Sequence, residues 1–384
     1  MATVLVLLVS SAALPKSSAG AEQPQLDQEF RAALAQYNAG NFIGAAERLE
    51  RLSRVAPANF PVEELLGMAY SSRSEDRKAA VHFEAAVELN PTSAAARTNL
   101  ATTLAHLGKL AQAEAEFKKA LELDPGSFDS NHNLGEFYVA AAQIEKAIAF
   151  LEKAQRIKPE AYENGYDLSL AYLETGLAAQ ARETVEHLML QRNTAELHNL
   201  LGEIHEKQGN FVPAEREYET AAHMDPSESN LFDWASELLL HRTLDPAVEV
   251  FENAQARYPN SARLTIGLGM ALYSRGNYDD AVKALLKAAD LSPRDPGCYY
   301  FLSKAYDSSP SQAAEVIKRF RRFRELEPKE ARAHYYYAMS LWKGKRAADT
   351  SLDVRQIELE LKRSVELDPK FADAHFELGN LNRA

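Results

Sequence analysis

Large apolar and small residues return along this chain with two superimposed periods. The short one is three and four residues, the spacing that gathers side chains on one face of a helix. The long one is about 34 residues and is marked by prolines: Pro57, Pro91, Pro125 and Pro159 lie 34 apart, Asn193 stands where the next would fall, and Pro226, Pro259, Pro293, Pro328 and Pro369 continue the series. A proline lacks the N–H that a helix needs and pushes the residue before it out of the helical region, so each unit is expected to close with a helix that stops just before its proline. With the proline numbered position 32, large apolar residues recur at 7, 11 and 24, and small ones at 8, 20 and 27. The second unit has Leu66, Gly67, Tyr70, Ala79, Phe83 and Ala86; the fourth has Leu134, Gly135, Tyr138, Ala147, Leu151 and Ala154. Polar breaks near position 15, with Gly40, Gly108, Gly176, Gly209 and Gly276, divide each unit into two helices. One helix pair cannot bury its own apolar stripe, so stacking of neighbours must supply the core.

This register resembles the tetratricopeptide repeat, whose units pair a Leu–Gly/Ala–Tyr helix with an Ala–Phe–Ala–Pro helix. The sixth unit is a clear example, with Leu201, Gly202, Gly209, Ala214, Tyr218, Ala221 and Pro226. The resemblance implies an all-α fold, a right-handed superhelical solenoid of antiparallel helix pairs, about ten repeats and a half-repeat. Units are placed near 26–59, 60–93, 94–127, 128–161, 162–194, 195–227, 228–261, 262–295, 296–330 and 331–371, with a partial one at 372–384. Departures are local. The first unit is atypical in its first helix, with Ala32, Ala33 and Gln36 at positions 7, 8 and 11, as suits an end cap. The ninth begins one residue early, with Tyr299, Leu302 and Tyr306, and turns at Ser308–Pro310. The tenth carries an insertion, Lys343 to Asp353, expected to be an exposed loop.

Length and composition agree with this picture. At 384 residues the chain is too long for one ordinary compact core, and 46% hydrophobic with 26% charged residues excludes a disordered chain. The formal charge of −12 argues against nucleic acid or an anionic membrane as the main partner, since both need a basic face. Cys298 is the sole cysteine, which rules out an internal disulfide. The apolar run from Val4 to Leu14 is too short to span a bilayer. With Ala19-Gly20-Ala21 as an A-x-A cleavage site, residues 1–21 read as a secretory signal and 22–25 as a linker, although no Lys or Arg precedes the run. A packed or disordered apolar tail is the alternative. With that leader the mature chain is expected in the periplasm or outside the cell, and without it in the cytoplasm, in either case without stable membrane insertion.

The first helix of each unit offers a second stripe, at positions 2, 5, 9 and 12, about 120° from the buried one. Resemblance to the family implies that this stripe lines a concave, ligand-holding face. It is polar in the third to sixth units, with Thr98, Thr102, His132, Glu136, Asn199, Glu203 and Glu206 beside Tyr166 and Leu170. From the seventh unit on it holds Phe232, Leu239, Ile266, Met270, Tyr273, Tyr300, Lys304, Tyr335, Met339 and Trp342. Aromatic and Met side chains are what interface hot spots use, so Phe232, Ile266, Met270, Tyr273, Tyr300, Lys304, Tyr335, Met339 and Trp342 are the candidate partner-binding set. Packing between neighbouring helices is the competing reading of the same residues. Some relatives grip a carboxylate with Lys at position 5 and Asn at position 9; neither pattern occurs here. Asn99 and Asn133 resemble two rungs of the asparagine ladder in the repeats of O-linked glycosyl transferases.

Catalytic chemistry is not visible in the sequence. His198 and His205 lie two turns apart on one helix, too far for one metal ion, and take core positions. Gly267-Leu-Gly269 lacks the third glycine and the strand of a dinucleotide loop. The basic residues Lys318, Arg319, Arg321, Arg322 and Arg324 alternate with the buried-register Phe320 and Phe323, and read as a solvated outer face. No cofactor and no metal site are expected. The sequence therefore points to a non-enzymatic scaffold that holds a protein or peptide. A second class is kept open: the repeat arm of a larger enzyme such as a glycosyl transferase, because Ala384 falls inside an eleventh unit. If the leader is real, mass spectrometry of the exported product finds a chain beginning at Glu22; a cytosolic product retaining Met1 refutes it.

Overall fold

The computed structural model describes residues 23–309, 312–348 and 354–381, so the leader expected at 1–21 lies outside them. Among the described residues there is no strand, and no helix is long and apolar enough to cross a membrane. The chain forms two compact units that divide between Arg192 and Asn193, at the one repeat end that lacks its proline.

The first unit contains α1 (Gln23–Asn38), α2 (Phe42–Val55), α3 (Phe60–Ser71), α4 (Asp76–Leu89), α5 (Ala94–His106), α6 (Leu110–Leu123), α7 (Phe128–Ala140), α8 (Ile144–Ile157), α9 (Tyr162–Glu174) and α10 (Ala178–Gln191). The second contains α11 (Ala195–Lys207), α12 (Phe211–Met224), α13 (Glu228–Leu240), α14 (Leu244–Arg257), α15 (Ala262–Arg275), α16 (Tyr278–Leu291), α17 (Pro296–Ser308), α18 (Ala313–Leu326), α19 (Ala331–Ala348), α20 (Val354–Leu367) and α21 (Ala372–Leu381). Within each unit every helix packs on its neighbours in the chain, and odd-numbered helices also touch one another, as α5 does α7 and α17 does α19.

Local chemistry sets these boundaries. Second helices end two residues before the proline, and the residue between leaves the helical region: Asn90 has φ −134°, ψ 82° and Asp124 φ −136°, ψ 86°. Several first helices start at side-chain caps, where Ser93, Ser127, Ser227 and Ser261 accept from N–H groups that no helical carbonyl reaches. In the first eight repeats they end in a left-handed residue at position 15, after which the position-16 N–H donates to the carbonyl of position 11, as Gln143 does to Tyr138 and Asn277 to Leu272 at 2.8 and 2.9 Å. Five of these left-handed residues are the expected glycines. Ser74, Ala142 and Arg242 hold the same conformation at φ 58°, 54° and 61°, which the sequence did not reveal.

The buried register matches the pattern: Ala79, Phe83 and Ala86, and Ala147, Leu151 and Ala154, are at most 1% exposed. Between repeats the position-11 tyrosines reach carboxylates on the preceding second helix, Tyr138 to Glu114 at 2.9 Å and Tyr172 to Glu152 at 2.7 Å. Burial pushes the Tyr70 phenol up to about 12, with Glu50 as its hydrogen-bond acceptor, so it remains a neutral donor.

Two boundaries differ from expectation. The first helix starts at Gln23, inside the expected linker. The insertion is not a loop from its start: α19 continues through Lys343 to Ala348. Lys, Arg and Ala favour helix and supply no left-handed turn at position 15. Gly344 meanwhile packs so close to Ile317 that an added Cβ would lie 2.7 Å from its Cδ1. Residues 349–353 lie outside the described ones, as does Pro310 of the ninth-unit turn.

Two substitutions of opposite sign follow. Ala142→Gly removes the left-handed penalty and raises stability by about 1 kcal/mol. Ala113→Leu crowds a fully buried helix contact and costs about 1–3 kcal/mol. Chemical-denaturation midpoints report both, and an unchanged midpoint for Ala113→Leu contradicts the register.

Candidate functional site

In the second unit, α17 and α19 lie side by side, and their positions 5 and 9 share one face. Lys304, one turn beyond Tyr300, holds its ammonium 5.6 Å from the Tyr300 ring centre. The Tyr335 ring tilts against Phe371, 5.0 Å away, and meets Tyr336 at 5.7 Å. With Met339 these side chains wall a cavity of about 220 Å³ between α17, α19 and the start of α21. Its rim is charged: Lys304, Arg332 and Lys343 face Asp307 and Asp373, and Lys343 pairs with Asp307. Burial, reinforced by Asp373 and Glu377, pushes the Tyr335 phenol up to about 12, which keeps it a hydrogen-bond donor.

The cavity brings together four of the nine partner-binding candidates: Tyr300, Lys304, Tyr335 and Met339. The remaining five lie elsewhere in the second unit. Phe232 meets Phe251 edge to face at 5.9 Å, and the Arg263 guanidinium covers its ring at 3.7 Å. Ile266, Tyr273 and Trp342 are half-buried against the hydrophobic core, and Met270 is half-buried too. Lining residues outside the candidate set include Arg332, Asp307 and Asp373, at positions 2, 12 and 2 of their repeats. They occupy the same stripe; an apolar criterion passed over them. Tyr336 and Phe371 fall outside the stripe and carry no such signal.

The polar part of the stripe is largely engaged between repeats. Thr98 and Ser130 share a hydrogen bond of 2.8 Å, and Asn199 donates to Asn230 and Asp233 at 2.9 and 3.1 Å. Asn99 is only 5% exposed, so it presents no amide ladder to solvent. His198 is buried and bonded to Glu217 at 2.6 Å, as a packing residue would be. Gly267 and Gly269 lie inside α15, where added Cβ atoms would lie 2.4 and 2.5 Å from Phe251 and Leu285. Phe320 and Phe323 are buried as expected, but the bases around them are not simply solvated. Arg319 and Arg322 reach Asp290, and Arg324 lies 3.6 Å from Glu360.

Models of the tetratricopeptide repeat match residues 64–128 and 232–296 in one form, and 108–165 and 140–204 in another, together more than half of the chain. The chain is a tetratricopeptide repeat protein. Among solved structures, this tetratricopeptide repeat protein is similar to the C-terminal part of a TPR repeat-containing protein from Cytophaga hutchinsonii. That likeness has a TM-score of 0.52 and 16% identity over 64% of this chain and 99% of the other. PilF of Pseudomonas aeruginosa gives 0.45 and 25%, over 53% and 94%. YrrB, described as a TPR protein with an unusual peptide-binding site, gives 0.40 and 20%, over 48% and 96%. No curated protein matches the chain.

The stripe of this repeat protein also carries a half-buried carboxyl in the second repeat. Glu64, at position 5 of α3, has its carboxyl pushed up to about 7 by burial. Its folded value lies above its unfolded one, so the proton is held more tightly in the native state. The stabilisation is complete below about 4.5 and is lost as pH rises through about 7. Glu64→Gln is expected to match the wild type at pH 4.5 and to exceed it at pH 8 by about 2–3 kcal/mol. Parallel denaturation curves at both pH values test the sign; a variant less stable at pH 8 contradicts it.

Proposed function

We propose that this tetratricopeptide repeat protein is a non-enzymatic scaffold that holds an extended segment of another protein against the α17–α19 face. The observation that carries the reading is the cavity of about 220 Å³, walled by Tyr300, Tyr335, Tyr336, Met339 and Phe371. Its size and lining suit one apolar or aromatic side chain. Its rim of both charge signs suits the polar backbone and charged neighbours of that side chain. Tyr300 is 45% exposed despite its aromatic ring, so covering it in a complex removes apolar area from water. The reading includes export, with the mature chain acting in the periplasm or beyond.

Photo-crosslinking from a benzoylphenylalanine at position 300 identifies the partner, and Tyr300→Ala combined with Lys304→Ala measures the contact. Both side chains sit outside the core, so the double variant should keep its melting temperature while partner capture falls at least tenfold. A crosslinker at Leu190, 85% exposed on a second helix, serves as the control. Equal crosslinking from both sites, or undiminished capture by the double variant, refutes the assignment.

A further inference from the structure

His132 and Glu136 lie one turn apart on α7, and Asp167 reaches them from α9 in the following repeat. One nitrogen of His132 and one carboxylate oxygen from each acid all lie within 4.8 Å of one another. No residue spacing shows this group, because its third member comes from another repeat and sits at position 6, off the stripe.

The imidazole is held in one orientation and one tautomer. Asn164, fully buried, donates from Nδ2 to the Leu151 carbonyl at 2.9 Å and to Gln155 Oε1 at 2.7 Å. Both are acceptors, so the amide cannot be turned over. Its Oδ1 must therefore be the atom that faces His132 Nδ1 at 3.1 Å, and Nδ1 must carry the proton it donates. The lone pair is left on Nε2. A stacked Phe128 ring, 5.5 Å away, supports the imidazole plane. His132 is only 9% exposed, yet Nε2 makes no hydrogen bond among the described residues; Glu136 Oε2 lies 3.8 Å from it, beyond hydrogen-bonding reach.

An imidazole whose one nitrogen is tied to a fixed acceptor while the other is left without a hydrogen bond beside carboxylates, here Nε2 at 3.8 Å from Glu136, is an arrangement that metal-binding histidines use. Ligand atoms of a tetrahedral zinc ion lie about 3.3–3.6 Å apart, so the three need only a small closure. The Glu136 side chain, 40% exposed, is free to make it and gives the ion a path from solvent. Glu163 adds a further negative charge near Asp167.

We propose that His132, Glu136 and Asp167 form a binding site for a divalent transition-metal ion of the zinc class. One nitrogen and two carboxylate oxygens suit Zn²⁺ better than Mg²⁺ or Ca²⁺, which prefer all-oxygen shells. Three protein ligands leave a coordination position for water or for a group on a bound partner. The site lies in the first unit, so it stands or falls separately from the cavity of the second.

The test uses the full chain, stripped with a chelator, and ZnCl₂ in competition with a chromophoric indicator. Wild type should retain Zn²⁺ in the presence of excess Mg²⁺ and melt at a higher temperature with Zn²⁺ than without. Glu136→Gln and Asp167→Asn are near-isosteric, and their melts without metal check that they fold. Each should weaken Zn²⁺ binding at least tenfold and abolish the metal-dependent rise in melting temperature. With CoCl₂ the wild type should show visible d–d bands that the Asp167→Asn variant lacks. A wild type that does not bind Zn²⁺, or one whose binding and bands both variants reproduce, overturns the site.

Discussion

The distance between the two helices of a repeat depends on one contact, that of a small residue, mostly glycine or alanine, at position 8 against a bulky residue at position 24. A Cβ added to Gly67 would lie 2.6 Å from the Phe83 ring, one at Gly135 2.6 Å from Leu151, and one at Gly202 3.0 Å from Tyr218. The contact recurs with an identical sequence separation because both helices keep the same register. Close approach on this side puts the small residues at 20 and 27 out of reach of solvent and completes a core that no single pair could enclose. It also decides which face stays open. With positions 7, 8 and 11 committed to the seam, the stripe at 2, 5, 9 and 12 is left to meet other groups, joined by position 6 at Asp167 and Tyr336.

Much of the architecture was legible in the sequence because its determinants are local. A proline ends a helix wherever it falls, and a glycine at position 15 takes a left-handed turn at no steric cost. Ser74, Ala142 and Arg242 show the limit of that reading. Their turn is imposed by the helix pair closing on either side, and the residue simply accepts the strain. The extension of α19 was hidden for a similar reason: departure from the repeat length suggests a loop, whereas helix-favouring residues with a packed Gly344 carry the helix onward.

The candidate sites were legible only in part, since they depend on which repeat meets which. A helical wheel put Tyr300, Lys304, Tyr335 and Met339 on one stripe together with Phe232, Ile266 and Tyr273. The stripe alone could not tell an aromatic that walls a cavity from one covered by the arginine of the next repeat, as Arg263 covers Phe232. Asp167 lay beyond such reasoning altogether. Its partnership with His132 is a contact across α7 and α9, and the fixing of the imidazole by Asn164 becomes apparent only when the Leu151 carbonyl is seen on the other side of the amide.

The non-helical residue before each proline and the left-handed residue at position 15 have a consequence for how such a chain can change length over generations. They are joints between rigid rods, and a residue gained inside a rod would rotate everything beyond it by about 100° and drive the apolar stripe into water. Gains are absorbed at joints or at rod ends instead. The ninth repeat carries its extra residue between α17 and α18, and the tenth carries its surplus past the point where a first helix normally stops. Duplication of whole 34-residue segments leaves every joint where it was. Copying is thus the one large-scale edit that this architecture accepts without refitting its core.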